Sequence, residues 1–445
     1  MLGCDVLNRF AYRLYRLFTA LNHWATRRFT RGGWLVLVGM ILTGGMATDT
    51  EQSLGYQMLA LLFSLSVAAL VVAPFFRVKF SAERLLPDFG SAGEPLRYRV
   101  FIHNHSPRQQ AGLFVLDTLA DPRPTLAEFA ALNRRSWKGR KKLRISGVPD
   151  TRRVQPIKPQ PLPILAPGGV ADVEIQLVPL RRGVLHFTSV TLARPDPFML
   201  FRALQPVPLP GSITILPRRY PLPRLALPGS TSYQQGGVAF ASSIGESEEF
   251  VSLRDYRPGD PVRRIHWRSW AKVGRPVVKE FQDEFFVRHA LILDTFAGPE
   301  DAAVFEEAVS VSASFACTID TQESLLDLLF IGPQAFCFTI GRGVAHAEQM
   351  LELLAAVAPA TEQRFAALEQ LVVEHAASVS GCVCIFVAWD EPRRALVRKL
   401  QTLGVPLTVL VIREAGAPSL ERRADDPEIF HVLEVGQMEE GLARL

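Results

Sequence analysis

What this chain lacks narrows its chemistry before anything it contains does. No Gly-x-Ser-x-Gly, P-loop or His-Glu-x-x-His run occurs, so a hydrolase elbow, a phosphate-cradling loop and a zincin helix are all missing. The nine histidines are scattered. Cysteine is scarce, and Cys4, Cys317, Cys337, Cys382 and Cys384 form neither a CxxC nor a Cys/His zinc spacing. Cys382 and Cys384 alternate along an apparent strand and share one face, which predicts a reduced, buried pair in a cytoplasmic protein. A net charge of +5 is modest and sits largely near apolar segments, an argument for lipid proximity over nucleic acid.

Charge is also absent from two long runs, and there the absence is informative. Residues 33–47, GWLVLVGMILTGGMA, and 55–76, GYQMLALLFSLSVAALVVAPFF, carry none. A helix crossing a ~30 Å hydrocarbon core needs about 20 apolar residues. The second run meets that, and the first does so by recruiting flanking residues. The short link between them predicts a helical hairpin. Arg27, Arg28 and Arg31 precede it, Arg77, Lys79 and Arg84 follow it, and the link holds no cation, which puts both ends in the cytoplasm. A cleaved signal competes for the first run, but its apolar stretch starts late and a second span follows directly. Upstream, Leu7, Phe10, Leu14, Leu17, Phe18, Leu21 and Trp24 recur at helical spacing among Arg9, Arg13 and Arg16. That is an amphipathic helix, lying either in the headgroups of an anionic inner leaflet or against the protein's own soluble part.

At 445 residues the chain exceeds one core and divides into two soluble domains beyond this anchor. The anchor occupies 1–80. Over 81–217, short runs rich in Val, Ile, Phe and Thr at 96–103, 111–117, 170–178, 183–193 and 212–216 predict an antiparallel immunoglobulin-like β-sandwich. It is interrupted by a basic insertion, 133–153, whose one acid is Asp150. That insertion is a solvated loop or a contact for anionic lipid or an acidic partner; Trp137 alone offers stacking, which disfavours nucleic acid. A Pro/Gly/Ser-rich linker and a motif-bearing segment fill 218–284. From 285 to 416 strands alternate with helices: strands at 290–294, 325–331, 335–340, 382–388 and 406–412, helices at 299–319, 345–358, 361–378 and 392–403. That order predicts a parallel-dominated sheet covered on both faces, and residues 417–445 are left as a C-terminal tail.

The motif lies at 245–281, GESEEFVSLRDYRPGDPVRRIHWRSWAKVGRPVVKEF. An extended piece leads into a Pro258-Gly259-Asp260-Pro261 turn, after which Arg263, Arg264, Arg268, Lys272 and Arg275 interleave with Ile265, Trp267 and Trp270. Aspartate can tie turn amides down, and arginine forks suit carboxylates or phosphates. Phe250, Arg254, Tyr256, Pro258, Gly259, Asp260, Arg264, Ile265 and Trp267 match the ordered signature of the domain of unknown function 58 family, which this chain resembles. Residues 179–201, PLRRGVLHFTSVTLARPDPFMLF, resemble an upstream RG and DPF segment of the same family. The segment can act in two ways. Tyr256, Ile265, Trp267 and Trp270 can pack between the two soluble domains, with Asp255 and Asp260 paired to Arg254, Arg263 or Arg264. Alternatively Arg263, Arg268 and Lys272 form an exposed anion-recognition patch.

The resemblance implies that the α/β part is von Willebrand factor A-like, with ligands bound beyond the carboxyl ends of the strands, where Asp294 and Asp390 sit. Such a site takes Asp-x-Ser-x-Ser, a threonine and a second aspartate as magnesium ligands. Here Phe296 and Gly298 replace the serines and the 341–343 loop offers no threonine. Asp294 and Asp390 therefore read as degenerate remnants, with no cofactor expected. The resemblance further implies a MoxR-type AAA+ ATPase as partner, a transglutaminase-like membrane protein nearby, and a role in assembling or activating other complexes. The expectation is a multi-pass, cytoplasm-facing, non-catalytic adaptor of the inner membrane. A metal-dependent enzyme acting on cell-envelope components and a passive scaffold are the alternatives.

Overall fold

The computed structural model describes residues 2–46, 53–72, 76, 78–120, 126, 153–223, 249–258, 260, 262, 265–282, 287–298, 301–319, 324–341, 344–360, 363–418, 420, 426–427 and 429–445. The chain forms two units, 1–218 and 219–445, of mixed helix and sheet. Most of the basic insertion, up to residue 152, lies outside the described residues, as do the 47–52 link and linker residues 224–248.

The first unit begins with three helices, α1 (Leu2–Arg28), α2 (Arg31–Met46) and α3 (Ser53–Val72). Among the described residues one helix is long and apolar enough to cross a membrane, at Leu54–Val72; α2 has 16 residues and is shorter. The two touch, Ser66 Oγ lying 3.6 Å from Met40 Sδ. On α1 the apolar row Phe10, Leu14, Leu17, Phe18, Leu21 and Trp24 is exposed among the described residues.

Eight strands follow: β1 (Phe80–Leu85), β2 (Phe89–Ser91), β3 (Leu96–Asn104), β4 (Phe114–Leu119), β5 (Gln160–Pro161), β6 (Val170–Leu177), β7 (Gly183–Pro195) and β8 (Arg202–Leu216). They form two sheets, β1-β3-β6 and β2-β8-β7-β4-β5, antiparallel except for β2 on β8. Strict alternation explains why these segments choose strand. β6 buries Ala171, Val173, Ile175 and Leu177 and exposes the residues between them. Inward residues of both sheets share one core, with Val100, Ile102, Val115, Ile175, Leu192 and Ile215 within it.

This core holds an ion pair. Arg84, one of the cations that follow the second apolar run, has a side chain 3% exposed and grips Asp117, itself 0% exposed, at 2.6 and 2.9 Å. Tyr98 donates to the same carboxylate at 2.8 Å, and the guanidinium lies 4.4 Å over the Phe187 ring. Burial pushes the Asp117 carboxyl above its ordinary range, against the pull of Arg84 and Tyr98. A charge this deep has its partner inside the protein and is unavailable to lipid.

In the second unit β9 (Glu249–Asp255) pairs antiparallel with β10 (Val277–Gln282), and α4 (Trp267–Val273) lies between them in sequence. The rest is one sheet ordered β13-β12-β11-β14-β15-β16, parallel except where β13 meets β12. Its members are β11 (Val287–Leu293), β12 (Ser324–Ile331), β13 (Ala335–Ile340), β14 (Gly381–Phe386), β15 (Leu407–Arg413) and β16 (Phe430–Glu434). The helices are α5 (Ala302–Thr318), α6 (Val344–Ala356), α7 (Ala366–Ala376), α8 (Glu391–Thr402) and α9 (Met438–Leu442). Ala290, Ile292, Cys382, Cys384, Val409 and Val411 face α7 and α8 in one core; α5 covers the opposite face. Residues 417–445 are not a tail throughout. β16 pairs in parallel with β15, and α9 buries Met438 and Leu442. Phe430–Glu434 is too short and too polar a run to announce itself as a strand.

Candidate partner-binding site

The described residues of the motif fold as a strand, a turn, a short helix and a second strand. Arg254 on β9 reaches Asp260 with both guanidinium nitrogens, at 2.7 and 2.8 Å, and Asp260 also accepts from Arg257 N–H at 2.8 Å. The Arg254 side-chain bonds, with the Arg257 N–H, pull the Asp260 carboxyl down to about 2. Asp255 pairs with Arg275 at 3.0 Å on the surface. The chain then rejoins the sheet: Tyr256 N–H donates to Pro276 O, His266 N–H to Val277 O, and Ile265 bridges Val278. His266 stands at the N-cap position of α4 without a side-chain bond to the helix backbone, its Nδ1 2.6 Å from Ser269 Oγ.

Helix α4 ends at Gly274, whose φ of 74° is the left-handed conformation that suits glycine, with its N–H on Trp270 O. The helix buries none of its residues. Trp267 is 60% exposed and stacks on Trp270 with ring centres 5.2 Å apart, so within this unit it is not a core residue. Arg268 and Lys272 are exposed, and neither forms an ion pair among the described residues. Gly259, Arg263 and Arg264 lie outside the described residues.

The strand-end acids are arranged differently from a cation site. Asp294 follows β11 and is fully buried; Asp390 follows β14 and caps α8, accepting from Arg393 N–H. Between them lies Arg393, a residue not singled out from sequence, with a side chain 8% exposed. Its Nε reaches Asp294 at 2.9 Å, one Nη reaches Asp390 at 2.6 Å and the other reaches Phe296 O at 3.2 Å. The Phe365 ring lies 4.7 Å from its Cζ. Phe296 and Val387 N–H groups complete the Asp294 carboxylate. Burial pushes the Asp294 carboxyl up, against Arg393. Burial also disfavours the Arg393 charge, but Asp294 and Asp390 outweigh it and hold the guanidinium charged. The hydroxyl of Thr295, the residue after Asp294, donates inward to Ile331 O at 2.6 Å. These residues do not fit a divalent ion: the positive charge between the carboxylates is already supplied, and the hydroxyl is turned away.

Residues 252–440 match the family described as Protein of unknown function DUF58. That segment belongs to the family. A relative from Bacillus subtilis (strain 168), the "Uncharacterized protein YeaD", is 29% identical over 182 residues, 40% of this chain and 44% of that protein. The chain thus aligns with less than half of that relative's length. Among solved structures, an ASH/PapD-like domain of human CEP192 matches 31% of this chain and 84% of its own at 14% identity and a TM-score of 0.18. A cohesin module from a Clostridium perfringens ATCC13124 family 33 glycoside hydrolase matches 31% and 98% at 9% identity and a TM-score of 0.14.

Proposed function

We propose that this DUF58 protein is a membrane-anchored, cytoplasm-facing adaptor that binds a protein partner through α4 and performs no catalysis itself. In this reading α2 and α3 form a spanning hairpin, the two β-sheets an immunoglobulin-like sandwich, and the six-stranded sheet a von Willebrand factor A-like domain. The observation that carries it is the outward display of Trp267, Arg268 and Lys272 on a short helix braced by the Arg254–Asp260 clamp. An exposed indole stacked on a half-buried one, beside cations that form no ion pair among the described residues, suits an acidic protein surface with an apolar anchor point. The occupied space between Asp294 and Asp390 argues against the enzyme alternative, which needs those carboxylates free. A MoxR-type AAA+ ATPase is the partner that the family resemblance suggests.

The test is crosslinking and pull-down from native membranes, with Arg268→Glu/Lys272→Glu beside the unaltered protein. The double reversal is expected to remove the ATPase from the captured set while leaving the melting temperature unchanged. Equal capture by both proteins sinks the proposal.

A further inference from the structure

The turn joining β7 to β8, residues 196–201, is tightly built. Asp196 is 7% exposed and accepts from the N–H groups of Phe198 at 2.6 Å, Leu200 at 3.1 Å and Phe201 at 2.5 Å. Met199 has a φ of 56°, the left-handed region that a non-glycine residue enters only when its surroundings hold it there. The back of the turn is docked on the α1–α2 junction. Thr30 N–H donates to Leu200 O at 3.0 Å, and the rings of Phe29 and Phe201 are 4.7 Å apart. Gly33 has to be glycine: a Cβ there would overlap Leu200 O.

The far end of the helix pair arrives at the same place. Phe76, four residues past α3, lies 5.5 Å from the Arg194 guanidinium of β7, and Gln205 of β8 bonds both the N–H and the carbonyl of Val78. The entry to α2 and the exit from α3 are therefore both pinned to the β7–β8 end. Despite these constraints, Phe198 and Met199 at the tip stay 47% and 67% exposed. Two adjacent apolar side chains held outward by this turn, beside the exposed apolar residues of α2, make a contiguous patch that suits a cover from outside the chain.

We propose that the Phe198–Met199 tip inserts into the headgroup–acyl boundary of the bilayer that α3 crosses, and so sets the attitude of the β-sheet domain on the membrane. Lipid is the occupant because the tip lies against the first turn of α2, an apolar helix whose one charge is Arg31 at its first position. Around the dock, Trp24 and Trp34 flank Phe29 at 6.1 and 5.4 Å, the aromatic grouping that marks a membrane–water interface, and Arg28 and Arg31 are at hand for phosphates. The tip thus joins the exposed apolar row of α1 as a second interfacial contact.

This inference rests on the membrane-anchor reading, and its test separates the two. Full-length Phe198→Trp, and independently Met199→Trp, are reconstituted in phosphatidylcholine/phosphatidylglycerol vesicles, and the emission added over the parent protein is followed. With lipid brominated near the headgroup end of its acyl chains, the added emission is expected to be mostly lost, and aqueous acrylamide is expected to leave it largely intact. Added emission from both variants that ignores brominated lipid and is quenched by acrylamide overturns the inference. Alkaline carbonate extraction reads the anchor alone. Release of the parent protein overturns the anchor reading and this inference with it, whereas retention with acrylamide-quenched emission overturns only the inserted tip.

Discussion

Arg393 is the residue on which the reading of the α/β sheet turns. It gives two strand-end carboxylates an internal cation, so its removal leaves Asp294 buried without a counter-charge. Breaking a buried pair on one side costs about 3–5 kcal/mol, so Arg393→Met should lower unfolding free energy by that amount, with Asp294→Asn in the same chain recovering part of it. Urea unfolding followed by circular dichroism checks this, and a loss below about 1 kcal/mol would show the pair to be dispensable. Asp260 makes a prediction in pH. Its carboxyl is held at about 2 in the folded chain, below the ordinary ~3.9 of aspartate, so the brace contributes fully above pH ~4 and is lost as pH falls through about 2. Infrared titration of the protein against Asp260→Asn should find this low value, and Arg254→Met should move it back toward ~4. A titration in the ordinary range with Arg254 present contradicts the clamp.

At the scale of elements, α4 separates stability from binding. Because Trp267 is 60% exposed, Trp267→Ala should cost about 1 kcal/mol or less, the loss of its stack on Trp270, instead of the larger penalty of a core cavity. Thermal melts read the stability, and a pull-down titrated with salt reads the binding, which should weaken. A large drop in melting temperature would mean that the indole is buried in solution. The Arg268→Glu/Lys272→Glu pair should melt like the parent and lose the salt sensitivity of whatever capture remains. The β7–β8 turn teaches the converse lesson. Its Asp196 bonds and the glycines opposite it are needed for a docking geometry that no single strand or helix would specify.

At the scale of the whole molecule, the cations around the apolar runs predict topology. With Arg84 buried on Asp117, the case rests on Arg27, Arg28 and Arg31 before the runs and the exposed Lys79 after them, Arg77 lying outside the described residues. A green fluorescent protein fused after Leu445 should fluoresce, and a phosphatase fused there should be silent. Phosphatase activity would place the soluble domains on the far side and remove a cytoplasmic ATPase from the candidate partners.

Local periodicity made much of the architecture readable from the sequence alone. Alternation in 96–103 and 170–178 marked β3 and β6, apolar runs followed by helical spacing marked the α/β order, and uncharged stretches marked the apolar helices α2 and α3, because each signal lies within one element. The ordered motif around Asp260 was likewise legible, since its turn chemistry is written in neighbouring residues. What tertiary structure decided are the partners of charges and the faces of side chains. Arg393 and Asp294 are 99 positions apart, and Arg84 and Asp117 are 33 apart, distances over which sequence carries no pairing rule. β16 forms because β15 offers it an edge, and Trp267 is exposed because α4 packs on nothing that would cover it among the described residues. Secondary structure follows from interactions over a few residues; the chemistry of a site follows from which distant groups share a low-dielectric space, and only the folded chain sets that.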